Sequence, residues 1–582
     1  MNIAKKIFPF LNWGPLINGP NLRADLIAGI TVSLVLIPQS MAYAQLAGLP
    51  PIYGLYAALL PGLVGAMWGS SFHLATGPVA MTSLLTMATL TPFGMGDPNF
   101  IGSDRYIELA ILLAFMVGLV RLFIGLFKLT VMANFLSQPV IRGFINAGAL
   151  IIGSSQVSKI FGVQMHRSNF YLADIWHVFT AIPKELYVPT FGIGLSSLIM
   201  LWALKKYLPK VPAALVVVAL GSIVVKYMGW ADLHVVDPNL PAAASDAGRR
   251  FVAVVGFIPP GLPKFAPPHF ELNMMIHMIP GAFVVMFIGF MEFNSVNKAI
   301  APKSGQKIDV TQEMIGQGVS ALVGSFSQCY PTSGSFSRTA LNFAAGGKTG
   351  MSSVFAAVMV LLTLLFLTQF LGFLPQAVLA AIIIMAVAGL IDFKAMIHAT
   401  KVDKFDGISS WITFGASLLF APHIVNGILI GGAVALALHL YKTMKPHVQI
   451  VSNLEIVCSD GHGGQRKVRN PVMSFDGQLY FANVSYFEDT VNHIFEENPQ
   501  AERVLVDGSG INEIDASGEA MLRELVAGLR ERGKDLSFIG LKPQIIEVMK
   551  RSGFIHYMTE DNFFDSLAEA RERYGITAEE GK

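Results

Sequence analysis

No Asp, Glu, Lys or Arg occurs between Asp25 and Asp97, a run of seventy-one residues. A membrane-spanning helix needs about 20 predominantly apolar residues, so this run can hold two complete spans and part of a third. Only 14% of the chain is charged and its mean hydropathy is +0.55, whereas a soluble protein carries about 25% charged residues. The chain is therefore predicted to be a polytopic α-helical membrane protein with a polar part attached.

Composition and motifs exclude several classes of function. The net charge of +2 gives no reason to expect nucleic-acid binding. Only two cysteines are present, Cys329 and Cys458, which excludes a disulfide framework and a zinc site with several Cys ligands. No P-loop, dinucleotide fingerprint, zinc-protease motif or Ser/His/Asp set is found, and no removable signal peptide precedes the first apolar run. We expect no enzyme activity, no cofactor and no metal.

Fourteen spans are predicted, and two of them are short, after Thr76 and after Ser333. The spans lie near 26–47, 53–69, 78–93, 107–127, 134–156, 187–205, 211–228, 276–298, 313–329, 335–346, 351–372, 375–392, 405–421 and 424–442. The two short spans are 257 residues apart, and the polar residues Gln39 and Glu292 are 253 apart, which suggests two halves of seven spans. With an odd number of spans in each half, the two halves have opposite orientations in the membrane. Interrupted spans at matching places in the two halves indicate a transport site. The alternative is that the similar spacing is a coincidence among Gly- and Ser-rich turns.

The flanking segments complete the expected organisation. Residues 1–24 are predicted to form an amphipathic lead-in on the cytoplasmic surface, residues 25–445 the transmembrane domain, and residues 446–582 a small cytoplasmic α/β domain. Lysines gather in the short loops after even-numbered spans, so both termini are expected in the cytoplasm. We expect a multi-pass protein of the cell membrane, specifically the inner membrane of a bacterium.

The polar C-terminal part alternates strand and helix patterns. Strands are predicted around the Asp476-Gly477 turn between Val472 and Phe481, and further strands and helices at 485–497, 503–506, 517–532, 536–541 and 543–551. Asp515 or Ser517 can cap the helix that begins there. A regulatory role, through phosphorylation of Ser517 or a bound nucleotide, is the weaker alternative.

The stretch from Pro331 to Ala340 places hydroxyl groups, a Pro, a Gly and Arg338 in the most hydrophobic part of the chain. Intramembrane charge is costly, and broken helices at membrane depth usually line a substrate path. A helix N-terminus carries about half a positive charge and unpaired N–H groups. The openings at Gly77-Pro78 and Gly334-Ser335 therefore predict two half-helix ends that hold an anion. The alternative is that Arg338 reaches the cytoplasmic surface and only sets the topology.

Two earlier polar positions are further candidates. Gln39 and Tyr43 are four residues apart and share a helix face after Pro38, which should kink or interrupt the helix. Their side chains are predicted either to line a polar cavity or to form hydrogen bonds that bridge neighbouring helices. Glu292 is an acid within a span and is a candidate proton carrier or cation ligand. Its alternative is a structural ion pair with Arg338 or Lys298.

Several stretches resemble the SulP (sulfate permease) family of anion transporters over nearly the whole chain. Residues 330–404 look especially similar to plant-type sulfate transporters, and Arg338 leans towards that branch because some bacterial relatives lack it. The stretches on which this resemblance rests are residues 36–44, 50–56, 76–80, 332–338, 342–346 and 389–392.

The resemblance implies a seven-plus-seven inverted repeat in which spans 1–4 and 8–11 form a core domain and spans 5–7 and 12–14 form a gate domain. It implies an elevator motion of core against gate, a homodimer, and a C-terminal STAS domain whose regulatory loop is Asp515 to Gly518. Glu292 matches the family's acidic residue in span 8. The substrate-binding set predicted from both arguments is Gln39, Tyr43, Gly77, Pro78, Val79, Ala80, Phe336, Ser337 and Arg338, with backbone donors at 79–80 and 336–338.

Two departures from the family pattern stand out. Thr311 replaces a usual Asn and is expected to alter how the loop before span 9 is capped. Val79 is often aromatic in animal members, so a roomier site is expected.

The predicted function is secondary transport of an inorganic anion, with sulfate carried together with protons. Bicarbonate or a dicarboxylate, sodium coupling, a passive anion channel and a signalling receptor stay open as alternatives at this stage.

Overall fold

The computed structural model describes residues 8–94, 97, 99–130, 137–163, 171–208, 211–231, 251–421, 423–459 and 465–573. Residues 1–7 of the predicted lead-in, with Lys5 and Lys6, lie outside this range. The chain divides into two compact units, Met1–Ala435 and Leu436–Lys582.

The first unit is almost entirely helical in the described residues. Its helices are α1 Gly19–Leu46, α2 Pro51–Trp68, α3 Ala80–Leu90, α4 Asp104–Leu126, α5 Gln138–Ser155, α6 Val157–Phe161, α7 Tyr171–Glu185, α8 Val188–Tyr207, α9 Ala213–Tyr227, α10 Leu272–Ser304, α11 Val310–Phe326, α12 Phe336–Ala344, α13 Met351–Leu362, α14 Thr368–Leu371, α15 Gln376–Ala388, α16 Phe393–Val402, α17 Lys404–Leu419 and α18 Ile424–Met444. The only strands described in this unit are β1 Thr76–Gly77 and β2 Ser333–Gly334.

Each of the fourteen predicted spans falls on a helix, which confirms the polytopic helical fold. Within the described part of the chain, nine helical segments are long and apolar enough to cross a membrane by themselves. The other five predicted spans coincide with shorter helices, of 9 to 17 residues. The two shortest are α3, with 11 residues, and α12, with 9, as the interrupted pattern predicted.

Local details differ from the predictions at several places. Helix α1 begins at Gly19, capped by the Asn18 side chain, so Asp25 lies inside the helix and not before it. The helix continues through Pro38, and the expected interruption there is wrong. Helices α7 and α16 were not predicted, because both are amphipathic and carry charged residues that broke the apolar pattern.

Glycines allow the closest helix contacts. A Cβ atom on Gly118 of α4 would lie 2.8 Å from the Leu322 backbone nitrogen of α11, and one on Gly318 of α11 would lie 2.7 Å from the Leu122 nitrogen of α4. Membrane helices gain little from hydrophobic burial against one another and associate through such close van der Waals packing. The two helices therefore pack backbone to backbone, and α4 is held firmly beside α11.

Two buried carboxylates tie loops to the helices. Asp25 accepts hydrogen bonds from the Lys348 nitrogen at 2.6 Å, the Thr349 nitrogen at 3.0 Å and the Thr349 hydroxyl at 2.6 Å. Glu313 of α11 accepts from the Ser70 and Ser71 nitrogens at 2.8 and 2.9 Å. Each carboxylate anchors a loop next to a half-helix, the first after α12 and the second before β1.

The loop before α11 is capped by Asp309 and not by position 311. The Asp309 carboxylate accepts from the Thr311 and Gln312 nitrogens, at 2.9 and 3.1 Å. The Thr311 hydroxyl instead lies 3.3 Å from the Thr130 hydroxyl. The cap of α11 is therefore supplied by Asp309 and not by the Thr311 side chain, and the effect of Thr in place of Asn at position 311 stays a prediction.

The second unit contains a five-stranded sheet with strand order β3-β4-β5-β6-β7. The first two strands pair antiparallel and the others pair parallel. Its elements are β3 His447–Ser459, β4 Gln465–Asp476, α19 Val484–Glu497, β5 Arg503–Asp507, α20 Ala516–Glu531, β6 Asp535–Ile539, α21 Pro543–Arg551, α22 Phe554–Met558, β7 Phe563–Phe564 and α23 Leu567–Arg573.

The hairpin of this sheet lies earlier than predicted. Strand β4 ends at Asp476, so Asp476-Gly477 does not join two strands, and β3, which precedes it, was not predicted. The chain after Gly477 forms only one bridge, between Leu479 and Ile514. The turn residues were recognised correctly, but they end the last strand of the hairpin and lead towards α19.

Replacing Asp25 with Ala is expected to lower the thermal stability of the purified protein. The substitution leaves the two buried Thr349 donors without an acceptor, at about 1–3 kcal/mol each, together with the partly buried Lys348 nitrogen. Asp25→Asn should cost less, because its side-chain carbonyl can still accept. The midpoint of thermal unfolding in detergent measures the effect, and Asp406→Ala, at an exposed position, is the control. An equal midpoint for Asp25→Ala and the control would contradict this role.

Candidate functional site

The two half-helices α3 and α12 are joined at their N-terminal ends by the pairing of β1 with β2. Thr76 pairs with Gly334 and Gly77 with Ser333, in antiparallel register. The Ser335 nitrogen also donates to the Ala75 carbonyl at 3.0 Å, and the Ala75 nitrogen donates to the Thr339 hydroxyl at 3.0 Å. Both half-helices begin just after this ribbon, so their N-termini lie close together.

The loop before β1 is also fixed to the far end of α12. The His73 ring lies 3.0 Å from the Gly347 carbonyl through Nε2, and the Asn342 amide donates to the His73 carbonyl at 3.0 Å. The same ring packs edge-on against Phe343, at 5.4 Å between centroids. These contacts hold the two half-helices as one body.

The two N-termini differ in how their backbone donors are used. Helix α3 has no side-chain cap, because its N-cap residue is Val79. Helix α12 is capped by Ser335, whose hydroxyl accepts from the Arg338 nitrogen at 3.4 Å. Since the first N–H groups of a helix have no partner within it, donors of α3, together with those of Phe336 and Ser337, can face a ligand.

Arg338 lies in the first turn of α12 and is 1% exposed. None of its three side-chain nitrogens has a hydrogen-bond partner among the described residues. One guanidinium nitrogen would lie 3.3 Å from a Cβ atom on Gly77, so the side chain reaches across to the other half-helix. Arg338 therefore does not reach the surface, and it places a full positive charge between the two helix ends.

Glu292 lies on α10, which, like α1, contacts both half-helices. Its Oε2 is buried and has no hydrogen-bond partner among the described residues. The Ser333 hydroxyl acts on the carboxyl group as a hydrogen-bonding group, and Arg121 and Arg338 act on it electrostatically. Among the described residues no ion pair joins it to Arg338 or to Lys298, the expected structural alternatives. The carboxyl is thus near two positive charges without being locked to either.

The remaining predicted residues fall into two groups. Gln39, Tyr43, Val79 and Ala80 are buried, as are Gly77 and Pro78. The Gln39 carbonyl oxygen has no partner, and Tyr43 interacts electrostatically with both Arg338 and Glu292. Phe336 and Ser337, by contrast, are exposed on the surface of the unit. The first group is thus buried, with Tyr43 and Gly77 beside Arg338, and the side chains of the second group are exposed.

Sequence reasoning missed two residues of this site. Arg121 of α4 is 0% exposed, and its NH1 donates to the Thr332 carbonyl at 2.9 Å. Tyr330 is 1% exposed, its hydroxyl lies 3.2 Å from the Ser83 hydroxyl of α3, and it interacts electrostatically with Arg338 and Tyr43. Arg121 is the only charged residue between Glu108 and Lys128, so the signal that identified Arg338 would also have found it.

The regulatory candidates lie in the second unit, at the start of α20. Asp515 caps this helix by accepting from the Gly518 nitrogen at 2.7 Å, and it also accepts from the Phe481 nitrogen at 3.0 Å. Ser517 is exposed in the first turn. Capping is thus performed by Asp515, while the Ser517 hydroxyl faces outward.

Chemically, the first unit offers a buried guanidinium, two helix N-termini and a carboxyl group within one small region. Such donors suit an anion, because helix N-termini and arginine both favour negative charge. Among the described residues, no group of three or more His, Cys, Asp or Glu side chains could hold a metal ion.

Comparison with known families gives two matches. Residues 22–413 match the model of the Sulfate permease family, and residues 464–570 match the STAS domain.

Individual relatives match along nearly the whole chain. The probable sulfate transporter 4.2 of Arabidopsis thaliana is 33% identical, over 94% of this chain and 80% of its own length. The high affinity sulfate transporter 2 of Stylosanthes hamata is 30% identical, over 98% and 86%. The solved structure of the murine Solute Carrier 26 family member A9 anion transporter, in the inward-facing state, has a TM-score of 0.84, with 21% identity over 98% of this chain and 94% of that one. At that identity the structural match shows the fold alone.

Replacing Gly334 with Ala is expected to destabilise the ribbon between the half-helices. The added Cβ atom would lie 2.7 Å from Leu74 Cδ1 and 2.9 Å from Phe293 Cβ, and overpacking of this kind costs about 1–3 kcal/mol. The thermal unfolding midpoint in detergent should therefore fall.

Gly415→Ala provides the matched control. Gly415 lies within α17 with no atom within 4 Å of a Cβ position, and Ala is the better helix former. Its midpoint should stay constant or rise. A Gly334→Ala protein as stable as the control would argue against tight packing around β2.

Proposed function

The chain belongs to the sulfate permease family, and from that premise we propose that it is a secondary active transporter that carries sulfate together with protons. The relatives described above are sulfate transporters by name, so we assign transport and not catalysis. The proposed domain limits are the lead-in at 1–24, the transport domain at 25–445 and the STAS domain at 446–582.

One observation carries the proposal: the buried guanidinium of Arg338 has no acceptor among the residues that the structure describes. Burying a charge without a partner is very unfavourable, and here two helix N-termini add further positive potential at the same place. A bound oxyanion would accept hydrogen bonds from all of these donors. Sulfate fits this requirement because it offers acceptor oxygens on every side and two negative charges.

We assign the surrounding groups by their chemistry. The anion would accept from backbone N–H groups at the start of α3 and from Phe336 and Ser337, while Pro78 has no N–H to give. The Gln39 amide and the Tyr43 hydroxyl would supply side-chain donors. Val79, at the N-cap of α3, would shape the wall of the site.

Glu292 is the proposed coupling group. Its carboxyl lies near Arg121 and Arg338, so its protonation would leave both positive charges free to attract the anion. Proton binding and anion binding would then favour each other, which is the requirement for symport.

The transport step is proposed to be an elevator motion. Spans 1–4 and 8–11 would move as the core against the gate formed by spans 5–7 and 12–14. The contacts that fix α3 to α12 support the movement of both half-helices as one body. We further propose a homodimer and a regulatory role for Asp515 and Ser517, both on the family resemblance.

The protein is a multi-pass membrane protein, and we propose that both termini face the cytoplasm because of the lysine distribution. The expected placement in a bacterial inner membrane gains no support from the comparisons, since the curated relatives described above are plant proteins.

Arg338→Ala is expected to reduce sulfate uptake by roughly a hundredfold or more, since loss of a buried charged partner costs about 2–5 kcal/mol. Labelled sulfate uptake into proteoliposomes measures the effect. Arg142→Ala, at an exposed position, is the control. Normal uptake by a correctly folded Arg338→Ala protein would refute the site assignment.

Glu292→Gln is expected to remove the response of sulfate uptake to a proton gradient. The wild-type protein should take up sulfate faster when the outside is acidic, and should accumulate it against its gradient, which a passive channel cannot do. Gln keeps the size of the side chain but cannot exchange a proton.

The exposed Glu108→Gln serves as control for this experiment. Uptake that follows a sodium gradient and ignores the proton gradient in the wild type would contradict proton coupling. A panel of unlabelled bicarbonate, chloride, fumarate and succinate as competitors identifies the anion class.

A further inference from the structure

Arg121 is a buried cation that has no role of its own in anion binding in the transport mechanism proposed above. Its side chain is 0% exposed, and only NH1 has a partner, the Thr332 carbonyl at 2.9 Å. Nε and NH2 have no acceptor among the described residues. The hydrogen bond to the Thr332 carbonyl uses only one of the three nitrogens. Each buried donor without a partner has an unfavourable free energy, so this single bond does not explain why a whole guanidinium is buried here.

The position of Arg121 links it to the site. Its NH2 fills the space that a Cβ atom on Gly289 would occupy, and Gly289 lies one helical turn before Glu292 on the same face of α10. The Ser333 hydroxyl donates to the Gly289 carbonyl at 2.9 Å. Because Ser333 pairs with Gly77 in the ribbon, and Arg338 lies against Gly77, the two guanidinium groups flank the same residue pair.

The ionisable groups around Glu292 are contributed by several elements. They are Tyr43 of α1, Arg121 of α4 and Arg338 of α12. Tyr330, before β2, acts in turn on Arg338 and Tyr43. With both tyrosines neutral, the two arginines and the ionised Glu292 sum to one positive charge. The two half-helix ends contribute about half a charge each, so the site carries about two positive charges in total.

We propose that Arg121 is a second fixed positive charge of the anion site and sets its preference for divalent over monovalent anions. This inference rests on the proposed function as an anion transporter. Because the Coulomb energy scales with the product of the two charges, loss of the Arg121 charge weakens attraction of a divalent oxyanion about twice as much as attraction of a monovalent anion, whether Glu292 is ionised or protonated. Arg121 acts through the local field and positions no atom of the anion itself.

Two substitutions separate the charge of Arg121 from its hydrogen bond. Arg121→Gln keeps an N–H donor that can serve the Thr332 carbonyl but removes the charge. Arg121→Lys keeps the positive charge but replaces the planar guanidinium with an ammonium group, whose donors have a different geometry. Arg105→Gln removes an arginine from the same helix at a partly exposed position that pairs with Glu108 and Glu271, and serves as the control.

The experiment measures uptake of labelled sulfate and of labelled nitrate, as divalent and monovalent probes, by the full-length protein in proteoliposomes. We expect the sulfate-to-nitrate ratio to fall roughly tenfold or more in Arg121→Gln, and to stay near the wild-type value in Arg121→Lys and Arg105→Gln. Sulfate uptake by the wild type tests the proposed function separately, because the inference depends only on how the ratio changes between variants.

An unchanged ratio in a folded Arg121→Gln protein overturns the proposal. If Arg121→Gln transports neither anion, the lysine variant decides between the two roles. A wild-type sulfate-to-nitrate ratio in Arg121→Lys supports the charge role. An inactive Arg121→Lys protein shows that Arg121 only supports Thr332, and this result overturns the proposal. Thermal unfolding midpoints with added sulfate or nitrate report the same preference without transport.

Discussion

The pairing of Thr76–Gly77 with Ser333–Gly334 is the interaction on which the rest of the site depends. An extended backbone at membrane depth must find its hydrogen-bond partners within the protein, and neither short segment can do so alone. Each therefore uses the other, although more than 250 residues separate them in the chain. The antiparallel register is what two inverted halves require, and it directs both half-helix N-termini to one place. Without this ribbon there would be two separate helix ends and no shared site.

The buried charges of the first unit divide into two kinds by their partners. Asp25 and Glu313 each accept from at least two backbone nitrogens, so their charge is satisfied by loops that they hold in place. Within the described part of the chain, Arg338 has no acceptor, and Arg121 has one for its three nitrogens. A satisfied buried charge stabilises a fold, whereas an unsatisfied one stores unfavourable free energy that a ligand can relieve. This difference, more than burial itself, separates the residues that shape the protein from those proposed to face its substrate.

Much of the fold and part of the site could be predicted from the sequence. Apolar runs of sufficient length located the spans, and Gly-Pro and Gly-Ser openings located the half-helices, because both signals are local. The sequence could not show that Phe336 and Ser337 have exposed side chains while Arg338 is buried, since helix rotation depends on packing. Arg121 carried the same signal as Arg338, a single charge within an apolar run, but its place beside the site follows only from its contacts with Thr332 and Gly289. The STAS hairpin was misplaced because strand pairing between β3 and β4 is not local to the Asp476-Gly477 turn.

In the proposed mechanism, coupling needs no element beyond the charges already described. Among the described residues, Glu292 is the one carboxylate that acts on both arginines, and it reduces the positive potential that an anion experiences. A proton removes that reduction, so it strengthens anion binding, and by thermodynamic reciprocity a bound anion strengthens proton binding by the same factor. Because the carboxyl is not locked in an ion pair, the proton does not first have to break one. The carboxyl outside any ion pair and the arginines without acceptors would therefore act together. In this mechanism a proton on Glu292 favours anion binding at the arginines, and the bound anion favours the proton on Glu292.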